Sequence, residues 1–154
     1  QQLNLASSHV EELRSKMNEL ASTLPEYATV MGMYGVGKTF GPQLIAEIGD
    51  ISNFSHREAL TAFAGVDPGV DQSGTHNSKS NKASKCGSNR LRKTLFQIMS
   101  TLLQTAPEDD KVYQFLVKKR AEGKPYYVYM TAGANKFLRI YYGKVKECIR
   151  NLEQ

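Results

Sequence analysis

The sequence predicts an all-α fold, and three observations carry that reading. Apolar residues recur at i, i+3 and i+4 through several long stretches. The first 24 residues carry a heptad repeat, and sustained apolar–polar alternation, the mark of a half-buried strand, is absent. Composition agrees: 40% of the 154 residues are hydrophobic, which is ordinary for a packed core, and 12 Gly with 5 Pro are too few for collagen-like or low-complexity chemistry.

The heptad comes first. Leu3, Val10, Met17 and Leu24 share one seam position, and Ala6, Leu13 and Leu20 fall three residues later. Polar residues such as Glu11, Glu12, Arg14, Ser15 and Lys16 fill the gaps. Such a helix either joins a coiled coil or packs on its own domain, and the unbroken seam favours the coiled coil. Residues 1–24 are therefore read as a coiled-coil arm that makes a homo-oligomer, and residues 25–154 as the domain it precedes.

Pro25 ends the arm. Tyr27 to Met33 is a short apolar stretch that could be a strand, followed by a tight turn at Gly35-Val36-Gly37. Phe40, Leu44, Ile45 and Ile48 make a second helical face that Gly49 stops. Ser55 with Glu58 three residues on reads as a capping box that opens a helix over Ser55 to Ala64. Residues 65–86 are rich in Gly, Ser, Asn and Lys and read as a long loop, with 65–90 as the functional segment. Leu91, Leu95, Ile98, Met99, Leu102 and Leu103 restore helical spacing until Pro107. Val112, Phe115, Leu116 and Lys119 mark a helix closed by Gly123 and Pro125. A last helix runs from Tyr127 through Met130, Ala134, Phe137, Leu138, Tyr141, Val145 and Ile149 to Leu152.

Charge is distributed unevenly. The chain has 20 basic and 15 acidic residues, a net charge of +5. The segment from Gln72 to Pro107 contains Lys79, Lys82, Lys85, Arg90, Arg92 and Lys93 and no Asp or Glu. The remaining 14 basic and 15 acidic residues nearly cancel. A localised basic block points to a polyanionic partner, nucleic acid first, or else to a solvated basic loop. No apolar run approaches the ~20 residues that cross a bilayer, so no membrane partner is expected. Cys86 and Cys148 make no disulfide framework, and reduced thiols in a cytoplasmic protein are the default. The first residue is Gln, as in a piece of a longer protein. His9, His56 and His76 stand alone, without zinc spacing.

Residues Gly32 to Thr39 fit G-x-x-x-x-G-K-[ST], the phosphate-cradling loop of nucleotide-binding proteins. That loop needs a preceding strand in a parallel sheet, and no further strands follow, so the nucleotide reading is set aside. The same residues suit a helix-hairpin-helix. There Gly35 and Gly37 allow a tight turn whose backbone N–H groups hold a nucleic-acid phosphate, with Lys38 adding charge. A plain helix–helix turn is the competing reading.

Five serines, Ser73, Ser78, Ser80, Ser84 and Ser88, lie in or beside the basic loop. A serine hydroxyl among cations can attack a phosphodiester, because the cations offset charge building on the phosphoryl oxygens. Residue chemistry alone does not choose among them.

An ordered series of short motifs does. Ala46-Glu47-Ile48-Gly49-Asp50-Ile51-Ser52-Asn53-Phe54 precedes Leu60-Thr61-Ala62-Phe63-Ala64-Gly65-Val66-Asp67-Pro68. Gln72-Ser73-Gly74-Thr75, Ser84-Lys85-Cys86-Gly87 and Asn89-Arg90-Leu91-Arg92 follow. Arg120 to Pro125 and Lys136 to Tyr141 continue the series. Over residues 25–145 the chain resembles the C-terminal domain of bacterial insertion-sequence transposases that carry a DEDD, RuvC-like nuclease domain. That group is related to pilin-gene invertases and bridge-RNA-guided recombinases. Gly69 and Cys86 depart from residues frequent in that pattern, a serine and a basic residue respectively.

The resemblance implies a DNA transposition or recombination enzyme. It implies that a serine of the Ser-Gly pair, here Ser73, is the nucleophile, with Ser84 as runner-up or as a cap for the following helix. It implies an upstream nuclease domain holding Mg²⁺ through four carboxylates. Asp50, Asp67, Asp71, Asp109 and Asp110 are too scattered to form such a tetrad here, so no metal site is assigned to this chain, which alone is expected to bind but not cut DNA. Its partners are then DNA and, as a further candidate, a guide RNA. Lys38, Lys79, Lys82, Lys85, Arg90, Arg92, Lys93 and the Gly35–Gly37 turn are the proposed nucleic-acid contacts. The alternative is a non-catalytic helical nucleic-acid-binding module.

Overall fold

The computed structural model describes residues 2–68, 72–73, 76–77, 83 and 86–154. The helical spacing becomes seven α-helices among them: α1 (Gln2–Ser22), α2 (Tyr27–Met31), α3 (Gly37–Ile48), α4 (Arg57–Ala64), α5 (Asn89–Thr105), α6 (Lys111–Ala121) and α7 (Tyr126–Leu152). One 3-10 turn, Ile51–Asn53, lies between α3 and α4. Two-residue strands β1 (Gln72–Ser73) and β2 (His76–Asn77) pair antiparallel inside the segment read as loop. The fold is all-α, with a ladder too short to leave any period-2 signal in the sequence.

Side-chain caps set the starts of α4, α5 and α6, and two of them correct the sequence reading. α4 begins two residues later than expected, at Arg57, and its cap is His56, not Ser55. His56 is extended, and its Nδ1 accepts from the Ala59 N–H at 3.1 Å. Glu58 does not close a capping box. It accepts from Arg57 Nε at 2.9 Å, which holds its carboxyl below the usual range, and it lies 3.5 Å from Arg139. α5 is capped by Ser88, whose Oγ accepts from the Leu91 N–H at 3.2 Å, so that role does not fall to Ser84. Asp110 caps α6 through the N–H groups of Val112 and Tyr113. The Tyr27–Met33 stretch is a short helix, α2, and not a strand.

The core forms around α7. Met130, Ala134, Phe137, Leu138, Tyr141 and Val145 recur along one stripe of that helix and are fully or almost fully buried. α2, α4, α5, α6 and the 3-10 turn all pack on α7. Leu91, Leu95, Ile98, Met99 and Leu102 fill the matching stripe of α5, and Leu44, Ile45 and Ile48 that of α3. Each Leu, Ile, Val, Met or Phe side chain among them contributes about 1.5–3 kcal/mol on burial. Burial also pushes the Tyr141 hydroxyl well above the ordinary tyrosine range, so it stays a neutral phenol in the folded protein.

α1 behaves differently. Ala21 is its buried residue, while Leu3, Val10, Leu13, Met17 and Leu20 face solvent. Its C-terminal end meets the domain, where the Tyr27 hydroxyl donates to Asn18 Oδ1 at 2.8 Å. No helix among the described residues is long and apolar enough to cross a membrane.

Two glycines of α7 have opposite roles. A Cβ on Gly133 would collide with Leu116 Cδ2 and stand 3.1 Å from Met99 Sδ, both in the core. A Cβ on Gly143 would meet nothing within 4 Å. Gly133→Ala should therefore cost about 1–3 kcal/mol by overpacking. Gly143→Ala should stabilise by about 0.5–1 kcal/mol through helix propensity. Urea unfolding of the two variants should give shifts of opposite sign.

Candidate nucleic-acid interface and catalytic loop

The basic loop leaves and returns at one place, the last turn of α4. Gly65 ends that helix in the left-handed region at φ 67°, with its N–H on the Ala62 carbonyl and the Val66 N–H on the Thr61 carbonyl. On the return, the Ser88 N–H donates to the Phe63 carbonyl at 2.7 Å. Gly87 lies so close that a Cβ would strike the Phe63 carbonyl oxygen and stand 2.8 Å from both Ala62 O and Gly65 N. Two side chains fasten the same turn from outside: Arg92 Nη1 donates to the Ala64 carbonyl and Asn135 Nδ2 to the Val66 carbonyl, each at 3.2 Å. Beyond this base an isolated bridge joins Pro68 to Ala83, and further out Ser73 pairs with His76. The excursion thus has a rigid base and a backbone ladder that includes Ser73.

The sequence-predicted contacts fall in two places. Arg90 and Lys93 are exposed on the first turn of α5, next to the loop base. Arg92 is half-buried and has a structural partner in Ala64, which its sequence neighbours gave no hint of. Lys79, Lys82, Ser84 and Lys85 lie outside the described residues, as does Gly74; of Ser73 the backbone pairing with His76 is described.

The Gly35–Gly37 turn lies elsewhere. Gly35 has φ 79°, and a Cβ there would stand 2.9 Å from Leu102 Cγ and 3.0 Å from the Ile98 carbonyl. This turn therefore packs on the C-terminal half of α5. Ten residues of helix separate Arg92 from Leu102, about 15 Å at 1.5 Å per residue. Gly37, at φ 57°, has open space where a Cβ would be, and Lys38 and Thr39 are exposed at the start of α3. Gly32 closes α2 in helical conformation, so the G-x-x-x-x-G-K-T run follows a helix rather than a strand. That geometry does not suit a nucleotide-binding loop.

The carboxylates are engaged locally. Asp50 caps the 3-10 turn through the Ser52 N–H, which lowers its pKa, and Asp110 caps α6. Asp109 accepts from the Tyr34 hydroxyl at 2.9 Å, which raises the tyrosine's pKa. Among the described residues no three His, Cys, Asp or Glu side chains come together to hold a metal, so these residues do not fit a Mg²⁺ site.

The described residues thus form a helical domain with a basic loop held at its base. Residues 27–114, from α2 into α6 and including the whole loop, match the sequence model of the transposase IS116/IS110/IS902 family, and the chain belongs to that family. Over 145 residues it is 26% identical to the pilin gene-inverting protein of Moraxella bovis and to that of Moraxella lacunata. The match covers 92% of this chain and 44% of each relative, so the chain spans less than half their length.

Asn135 and Gly87 build the loop base, and sequence reading quoted Gly87 only within a motif and passed over Asn135. Gly87 and Asn135 act on backbone atoms far away in sequence, which no local pattern reports. Gly87→Ala should cost about 1–3 kcal/mol, because a backbone obstacle cannot move aside as a flexible side chain can. It should also open the segment 66–86 to limited proteolysis. Arg92→Ala should lower stability by about 1 kcal/mol through the lost bond to Ala64. Arg90→Ala, with no such bond, should leave the denaturation midpoint in place.

Proposed function

We propose that this domain is the part of a DNA transposase or recombinase that binds DNA and supplies a serine nucleophile, Ser73, for strand cleavage and rejoining. Membership of the transposase family is the observation that carries the reading, and the relatives' name, for inverting a pilin gene, agrees with it. The rigid loop base supports it physically: a nucleophile must be held in place against its phosphate.

In the proposed step the Ser73 hydroxyl attacks the scissile phosphorus. A phosphoserine bond forms as the phosphorus–oxygen bond to the deoxyribose breaks; the serine gives its proton to water, the departing deoxyribose oxygen takes one up, and attack by a hydroxyl of another strand later reverses the sequence. Gly74 beside the serine limits crowding as the backbone nears the phosphate. Lys85 and Arg90 offset charge on the phosphoryl oxygens. Arg92 contributes through the same local field while it holds the loop base. Lys79, Lys82 and Lys93 neutralise neighbouring phosphates. The Gly35–Gly37 turn with Lys38 makes a second backbone contact about 15 Å along α5.

Mg²⁺ is held, in this reading, by a nuclease domain in the remainder of a longer protein, which accords with the partial coverage of the relatives. The exposed seam of α1 pairs copies of the chain. A guide RNA is a further candidate partner, and the cytoplasm is the expected compartment.

Covalent trapping tests the nucleophile. The full-length protein with its element DNA should give a protein–DNA adduct that Ser73→Ala abolishes. An adduct that persists, or that only Ser84→Ala removes, sinks the assignment. Binding without any adduct would favour the non-catalytic module.

Salt dependence tests the surface. Six cations on phosphates predict a slope of log affinity on log salt near −5, at about −0.9 per duplex contact. A flat response would remove the basic block from the interface.

A further inference from the structure

The first turn of α7 presents Tyr126, Tyr127 and Val128 to solvent at 48%, 74% and 50% exposure. The Tyr126 ring stands edge-on to Tyr127, with centroids 5.3 Å apart, and to Tyr129 at 5.5 Å. Tyr127 lies 6.4 Å from Phe96 of α5. The cluster is therefore continuous across two helices, and its outermost ring is mostly free of the core.

Its position is informative. Phe96 follows Lys93 by three residues and Arg92 by four, so it is a surface neighbour of both on α5. Tyr127 lies two turns before Asn135 on α7, and Asn135 holds the Val66 carbonyl at the loop base. The aromatic cluster thus lies about one turn from the cations of α5 and about two turns of α7 from the loop root. Glu122, the carboxylate nearest in sequence to the shelf, is paired with Lys119 at 2.8 Å. Exposed tyrosine rings, extended inward by the partly buried Phe96, beside cations with no ion pair among the described residues match the chemistry that binds unpaired nucleotides, since a base stacks on a ring while its phosphate meets a cation. A duplex keeps its base faces covered and gains nothing from the rings.

We propose that Phe96, Tyr126 and Tyr127 form a stacking shelf for unpaired bases of single-stranded DNA that runs along the start of α5. The proposal rests on the nucleic-acid-binding reading above and adds to it a preference for an unpaired strand.

Fluorescence anisotropy at fixed salt tests it, with three labelled probes of equal length: oligothymidine, an abasic strand and a duplex. Tyr127→Leu should weaken oligothymidine binding by about 5- to 150-fold, the loss of one stacked base. It should leave the abasic strand and the duplex unchanged. Tyr127→Phe should restore binding, and the thermal melt of each variant should match that of the unsubstituted chain. Arg90→Ala should weaken all three probes. If Tyr127→Leu binds oligothymidine normally, or loses the abasic strand equally, the shelf is overturned while Arg90 sensitivity preserves the broader reading. If the unsubstituted chain binds none of the probes, both readings fall together.

Discussion

The last turn of α4 is the point on which the rest of the functional half depends. A helix ends with carbonyls that have no partner inside it. Here those carbonyls are taken by three separate parts of the chain, the glycine turn that follows, the returning backbone at Ser88 and Arg92 of α5, while Asn135 of α7 holds the Val66 carbonyl just beyond the helix. One helix end thereby fixes the loop, α5 and α7 to one another. Gly87 makes the meeting possible, because any side chain there would collide with backbone.

This arrangement explains why neighbouring cations have different roles. Arg90, Arg92 and Lys93 are close in sequence, yet helical rotation turns Arg92 toward the loop base and leaves the other two in solvent. A guanidinium suits the inner position, since its extended fork reaches a carbonyl while part of the group stays hydrated. The positive field of the surface and the stability of its base therefore share one residue.

Much of the helical frame was legible in the sequence because it rests on periodic burial. The stripes of α3, α5 and α7 read directly from residues such as Leu44, Leu95 and Phe137, and Gly49 and Pro107 mark real stops. The misreadings were local choices among near-equal options. Ser55 and His56 are adjacent capping candidates, and only the extended backbone of His56 decides between them. The apolar run Tyr27–Met33 suits strand or helix equally until packing on α3 and α7 selects a helix. Family membership was visible in the ordered motifs, whereas the clamp by Asn135 and Gly87 was not, since both act across long sequence separations. The heptad of α1 was read as a seam, and along that helix seam and gap residues alike are exposed, so burial does not distinguish them.

The closed base has a consequence for how such a loop can change over time. Once residues 66 and 88 are pinned together, the ends no longer depend on what lies between them. Lengthening a flexible closed loop then costs only about 0.6 kcal/mol per doubling. Insertions, deletions and composition drift between Pro68 and Ala83 can therefore accumulate without unravelling the helices. For the stability of the helices, the constraint falls on the few atoms that hold the two ends of the segment, and much less on its length.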